Sequence, residues 1–368
     1  MALKCGIVGL PNVGKSTLFN ALSNAKALAA NYPFATKEPN IGIITVPDQR
    51  LNDLAKLINP KSLVPTTIEI VDIAGLIKGA SKGEGLGNQF LATIREVNAI
   101  VHVVRCFEDG NIVHVDGSVN PVRDKEVIDT ELQLKDMETL EKRVNFWEKQ
   151  TKGGNKESVR IADMLRQLLK FVETGQSVRS YLPSVSSEDD LAIIYDCHLL
   201  TAKPIIYVCN VEETAVETGN AYTQAFMECV KGEKAEVLFV SAAIEADIAE
   251  LETYAERLEF LQAMGLKEAG VNRLIQACYN ILNLITYFTA GEKEVRAWTV
   301  NKGTKAPQAA GVIHSDIERG FIRAKTVAFA EFIRLGGWKG AQEQGQMRQE
   351  GKEYVVNDGD LFEFLHNT

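Results

Sequence analysis

No apolar run in the sequence approaches the ~20 residues that a bilayer-spanning helix needs, so no membrane contact is expected. Positive charge is not in excess: 40 Lys and Arg stand against 49 Asp and Glu, a net charge of −9. That balance gives no general attraction to phosphate backbones and leaves any RNA contact to a local basic patch. Cysteine is sparse and scattered. Cys5, Cys106, Cys197, Cys209, Cys229 and Cys278 stand singly, none at metal-ligand spacing. This argues against zinc and for free thiols in a reducing cytoplasm. The opening MALKCGIVGL runs straight into a motif, so no signal peptide is expected. Low-complexity segments, long repeats and a recognisable acceptor-substrate motif of a metabolic phosphotransferase are all missing.

What is present is ordinary globular composition over 368 residues, 45% hydrophobic and 24% charged, enough for two or three domains. Strand-like and helix-like segments alternate through KCGIVGL, KSTLFNALSNA, TIEIVDIAGL and AIVHVVRCF, the pattern of an α/β fold with a parallel sheet. From about residue 123 the chain turns charged and helix-favouring. Met137, Leu140, Val144 and Trp147, then Ile161, Leu165, Leu168 and Val172, repeat at coiled-coil spacing around a Gly-Gly break. An inserted antiparallel helical hairpin is predicted. The α/β texture resumes at KPIIYVCN and VLFVSAA, and short strands with one clear helix follow. The expected division is 1–122 with 199–281 as the nucleotide-binding domain, 123–198 as the helical insertion, and 282–368 as a small α+β domain.

The chemistry is carried by Gly9-Leu10-Pro11-Asn12-Val13-Gly14-Lys15-Ser16, followed by Thr17. A GxxxxGK[ST] loop between strand and helix wraps phosphates in backbone N–H groups at a helix N-terminus. Lys15 contacts the outer phosphates and Ser16 ligates Mg²⁺ in this reading. Asp72-Ile73-Ala74-Gly75 ends a strand, so Asp72 is placed near the Mg²⁺ shell and the Gly75 amide near a γ-phosphate. Thr36, lying between these motifs, is the candidate for a second Mg²⁺ hydroxyl; an ordinary loop Thr is the alternative. Ser241-Ala242-Ala243 fits a loop that supports a nucleotide base.

GLPNVGKST, NYPFATKEPNIG and DIAGLIKGASKGEGLGNQFL resemble the Obg-related branch of P-loop proteins. The NVEE stretch, the helical insertion and the C-terminal part narrow the resemblance to the Obg-like ATPase, or YchF, family, over essentially the whole chain. A cytoplasmic monomer is expected, and the resemblance implies ATP preference and hydrolysis and a TGS-like β-grasp C-terminal domain. It further implies a ribosome partner, through the large subunit, in translation or stress regulation.

Asn210-Val211-Glu212-Glu213 stands where a GTP-binding protein has Asn-Lys-x-Asp. An Asp there accepts charge-assisted bonds from guanine, each contributing about 1.5–3 kcal/mol, and adenine has no donors to match. Glu213 displaces the carboxylate by a methylene, and Val211 removes the Lys stem while leaving an apolar contact for a ring. Asn210 can still reach N7 of either purine. Residue chemistry alone gives relaxed purine specificity, and the family resemblance tips it to ATP.

Leu76 occupies the position where many GTPases have the water-orienting Gln. His102, inside an apolar strand, reads as a core histidine. His114, just beyond that strand's C-terminal end, is the catalytic candidate, with a solvent-exposed loop histidine as the alternative. Asn12 is the candidate ligand of a K⁺ ion; its tolerance of unusual backbone angles is the other explanation. Besides the ATPase switch, two functions stay open: an Obg-type GTPase with relaxed base specificity, and a nucleotide-gated scaffold whose hydrolysis is incidental. In calorimetric competition at equal Mg²⁺, ATP is expected to bind more tightly than GTP; tighter GTP binding would reject the base-site reading.

Overall fold

The structure is a computed structural model that describes residues 3–24, 40–73, 86–151 and 155–367. The described residues form two compact units: one within 3–24, 40–42 and 69–271, the other within 43–68 and 272–367.

Among the described residues, seven strands fall in the first two thirds of the chain: β1 (Lys4–Val8), β2 (Ile41–Thr45), β3 (Ser62–Val64), β4 (Thr67–Asp72), β5 (Ala99–Arg105), β6 (Ile205–Asn210) and β7 (Glu236–Val240). Six of them form a sheet in the order β2-β4-β1-β5-β6-β7. The β1 strand pairs in parallel with β4 and β5, and β5, β6 and β7 continue in parallel. Every residue of β5 and β6 is buried, which explains their unbroken apolar runs. His102, the interruption in β5, is only 1% exposed and faces Tyr207 of β6. Burial holds its ring unprotonated, down to about 3. His102 is a core histidine as expected, but not the satisfied one that was expected: its Nδ1 is buried without a hydrogen-bond partner.

The parallel register sets the C-terminal ends of these strands side by side: Ile7 pairs Asp72, Val8 pairs His102, Arg105 pairs Asn210, and Asn210 pairs Val240. Open parallel sheets bind ligands at such ends. Three helices labelled in order, α1 (Lys15–Asn24), α2 (Gln49–Ile58) and α3 (Leu86–Glu96), precede a long pair.

That pair is α4 (Pro121–Thr151) and α5 (Lys156–Glu173). All eight residues of the coiled-coil spacing meet in one apolar cluster, with Leu140, Val144, Ile161, Leu165, Leu168 and Val172 buried and Met137 and Trp147 packed beside them. Asn155 caps α5 by accepting from the Glu157 amide. Buried Asp136 ties α4 to the chain returning toward β6. Its carboxylate accepts from the Leu200 amide at 2.6 Å, the Thr201 amide at 2.8 Å and the Thr201 hydroxyl at 2.7 Å. By contacts the hairpin belongs to the first unit rather than standing alone as 123–198.

The second unit holds β8 (Leu284–Ala290), β9 (Glu294–Asn301), β10 (Phe321–Ala328), β11 (Arg348–Glu350) and β12 (Asp360–His366). With β3 they form a mixed sheet in the order β11-β10-β12-β8-β9-β3. Four short helices, Ala306–Ile313, Ser315–Arg319, Phe329–Arg334 and Trp338–Glu343, replace the single helix expected there. The expected boundary also moves. Residues 43–68, assigned from sequence to the nucleotide-binding domain, sit in this unit, as do 272–281. Packing explains the exchange: Leu51 and Leu54 of α2 complete a core with Phe288, Val295, Phe332 and Leu361, while β3 pairs in parallel with β9. Arg50 is clamped between Asp48, 2.8 Å away, and Asp358, 2.6 Å away.

Replacing Asp136 with Ala strands two buried amides and a hydroxyl, a loss of roughly 3 kcal/mol. Amides of α4 and α5 that exchange through opening of this region are expected to exchange about a hundredfold faster. Unchanged protection would show that Asp136 does not hold the hairpin.

Candidate functional site

Gly9 to Ser16 leave β1 and enter α1, whose buried Leu18 and Leu22 hold the helix against the sheet domain. Gly14 has φ of 100°, and a Cβ there would overlap the Asn210 side-chain nitrogen. The loop therefore needs glycine at this position for both conformation and space. Asn12 also takes a left-handed backbone, φ 63°, in line with the conformational explanation of this residue. Its side-chain N–H donates to the Val113 carbonyl at 3.1 Å, tying the phosphate loop to the loop that follows β5.

Lys15 is buried and donates to the Leu10 carbonyl at 2.8 Å, closing its own loop. Burial lowers its ammonium to about 8, partly opposed by the Asp72 carboxylate. The Ser16 hydroxyl donates to Asp72 Oδ2 at 3.3 Å. Asp72 Oδ1 is buried without a hydrogen-bond partner. Burial raises the Asp72 carboxyl, against the opposing pull of Lys15 and Ser16. A buried carboxylate oxygen left unsatisfied beside a phosphate-loop hydroxyl fits a hard cation, which takes oxygen ligands of this kind. Ser16 and Asp72 are thus brought together as expected. Thr36, Gly75 and Leu76 lie outside the described residues.

Asn210 ends β6 at 5% exposure. Its Nδ2 donates to the Val13 carbonyl at 2.9 Å, and its Oδ1 accepts from the Ala242 amide at 3.0 Å. One side chain thus braces the phosphate loop against the Ser241-Ala242 loop. Ser241 is buried at the start of the helix Ala242–Glu250, without capping it through its side chain. Val211 is 2% exposed and its amide donates to the Val240 carbonyl. It is a core residue here, with almost no surface for the ring contact expected from sequence. Glu213 is exposed and opens a short 3₁₀ turn, whereas the neighbouring Glu212 accepts from Asn220 at 2.8 Å.

The sequence reading passed over Arg105. It is 1% exposed, yet it has three carbonyl partners, Phe107 at 3.0 Å, Ile112 at 3.0 Å and Asp109 at 3.2 Å. Its position at the end of an apolar strand was the available signal. These bonds shape the loop that carries His114. Val113 is 76% exposed, but His114 beside it is 7% exposed. His114 Nε2 lies 2.8 Å from Asp124 Oδ2, and Nδ1 accepts from the Asp116 amide at 3.1 Å. Both ring nitrogens are engaged in this arrangement, so His114 is neither a solvent-exposed loop histidine nor open to a water. Asp124, also missed from sequence, sits in the first turn of α4.

A family model described as 50S ribosome-binding GTPase matches residues 4–147, and the YchF-GTPase C-terminal model, described as a protein of unknown function, matches residues 284–367. The chain is 54% identical to the ribosome-binding ATPase YchF of Escherichia coli O157:H7 over 368 residues, all of both chains. It is likewise 54% identical to the ribosome-binding ATPase YchF of Bacillus subtilis over 370 residues, again all of each. A solved structure, the Schizosaccharomyces pombe YchF GTPase, matches with a TM-score of 0.89 at 38% identity, over 99% of this chain and 98% of that one.

The lowered Lys15 generates a pH prediction. In the free protein the ammonium loses its proton around pH 8, and bound phosphates would favour the charged form. Triphosphate binding should therefore take up a proton increasingly as pH rises through 8, and affinity should fall roughly tenfold per unit above it. Titrations in buffers of differing ionisation enthalpy measure the uptake. Affinity independent of pH between 7 and 9 would contradict it.

Proposed function

The chain belongs to the YchF family, and on that premise we propose that it is a slow Mg²⁺-dependent ATPase acting as a ribosome-associated nucleotide switch. The observation that carries this reading is the convergence of Lys15, Ser16 and the unsatisfied Asp72 oxygen at one phosphate loop. Val13 to Thr17 would wrap the phosphates, with Lys15 swinging from the Leu10 carbonyl to the outer phosphates. Ser16, Asp72 and Thr36 would hold Mg²⁺, which supplies charge neutralisation at the β- and γ-phosphates. The Gly75 amide would sense the γ-phosphate. Asn210 keeps a second side-chain N–H for N7 of the purine, and Ser241 and Ala242 back the base.

Preference for ATP rests on the base site. Val211 stands in place of the Lys, and the Glu213 carboxylate is displaced relative to an Asp, so guanine loses its charge-assisted partner. The two bacterial relatives are named ATPases, whereas the Schizosaccharomyces pombe relative is described as a GTPase. A GTPase with relaxed base specificity is therefore the second reading, supported by the exposed Glu213 carboxylate. Catalysis by His114 requires its Nδ1 to leave the Asp116 amide. A K⁺ ion at Asn12 would use the Oδ1 oxygen, since the amide N–H is taken by Val113.

The ribosome, through its large subunit, is the proposed partner, with RNA met by a local basic patch, in a cytoplasmic monomer. The mixed sheet of the second unit is read as a TGS-like β-grasp domain. No described helix is long and apolar enough to cross a membrane.

Lys15→Ala is expected to abolish tight ATP binding, while His114→Ala spares affinity and lowers kcat. These roles differ because Lys15 meets ground-state phosphates and His114 matters in the transition state. Turnover measured with and without ribosomes tests the switch. Hydrolysis indifferent to ribosomes would favour an incidental-hydrolysis scaffold.

A further inference from the structure

We propose that Asp124 is a positioning residue for hydrolysis, fixing the His114 tautomer so that Nδ1 presents a lone pair to the attacking water. The inference rests on the reading of His114 as the water-orienting group. The hydrogen-bond pattern determines where the proton is. The Asp116 amide can only donate, so the Nδ1 that meets it at 3.1 Å carries no hydrogen. The proton of the neutral ring is then on Nε2, pointing at Asp124 Oδ2, 2.8 Å away. Asp124 is 1% exposed and its other oxygen, Oδ1, accepts from Arg123 at 3.0 and 3.2 Å. Arg123 is itself anchored on the Ser118 carbonyl at 2.6 Å and lies 3.6 Å from Asp116. The carboxylate is thus held from both sides, in the first turn of the rigid α4, and cannot rotate away from the ring.

This is the logic of a base oriented by a carboxylate: the acid fixes tautomer and direction, and the opposite nitrogen does the work. Only one bond must break to free Nδ1, that to the amide two residues further along the same loop. The Asn12–Val113 bond already fastens the neighbouring residue to the phosphate loop. In the reaction, the water oxygen bonds to the γ-phosphorus as the bond to the β–γ bridging oxygen breaks. The electron pair leaves on ADP, and the water's proton ends on the released phosphate. His114 accepts a hydrogen bond throughout and is unchanged.

Asp124→Asn separates tautomer control from shape. Arg123 would draw the amide oxygen to its side, turning the NH₂ toward Nε2. The ring would then face N–H donors at both nitrogens, and once Nδ1 leaves the Asp116 amide to meet water it takes the Nδ1–H form, which offers water a donor. Histidine-labelled nitrogen NMR on the unmodified protein should show His114 as Nε2–H with a bare Nδ1. The same spectrum of Asp124→Asn should be inverted, with kcat reduced on the order of ten- to a hundredfold and ATP affinity within about twofold. Wild-type His114 carrying its proton on Nδ1 would overturn the proposal without any variant. So would an inverted tautomer with full kcat, provided His114→Ala is slow. Full turnover by His114→Ala would instead defeat the water-orienting reading itself.

Discussion

Asn210 holds the nucleotide-facing end of the first unit together. Its two side-chain bonds, to the Val13 carbonyl and the Ala242 amide, join the end of β6 to the loops that follow β1 and β7. Both partners are buried backbone groups that water cannot satisfy, so removing the amide would leave each of them stranded. The contact is close enough that residue 14 has no room for a Cβ. Asn210 is thereby a mechanical link that places the phosphate loop. This bracing role does not depend on the identity of Val211 or Glu213.

The second dependency runs through the loop after β5. A buried guanidinium is costly unless its N–H groups are met, and Arg105, which makes no ion pair among the described residues, is met by three carbonyls and the Phe107 ring, 4.7 Å from its centre. The loop so organised delivers Val113 to the phosphate loop and His114 to α4. It thus forms a continuous bonded path from phosphate loop to helical hairpin within one unit. A parallel set of buried polar contacts anchors α4 behind the sheet. Lys125 lies 2.6 Å from Asp129 and 2.7 Å from Glu233, and the Tyr207 hydroxyl donates to Glu233 at 2.7 Å. The hairpin is consequently no loose appendage: Lys125 keeps Asp129 within α4, but its pair with Glu233 lasts only while the hairpin stays docked.

How the chain shares out its segments shows a limit of linear reading. Leu51 and Leu54 are an unremarkable apolar pair in sequence, lying between phosphate-loop and Asp72 motifs. They belong to the second unit, where they complete an apolar core with Phe288 and Phe332 and where β3 pairs with β9. Burial area and strand pairing decide such allegiance, and neither is a local property.

From the sequence itself came everything encoded by short-range pattern. The glycines and Lys15-Ser16 of the phosphate loop declare themselves by spacing, the eight seam residues of the hairpin by heptad periodicity, and the core histidine by its apolar flanks. Those signals are local because loop conformation and helix period are set by neighbours along the chain. Tertiary structure alone decided what depends on distant partners. It paired His114 with Asp124, gave Arg105 its carbonyls, buried Val211 against β7, and moved residues 43–68 into the second unit. Each of these depends on which groups meet after folding, when desolvation makes every unpaired polar atom count.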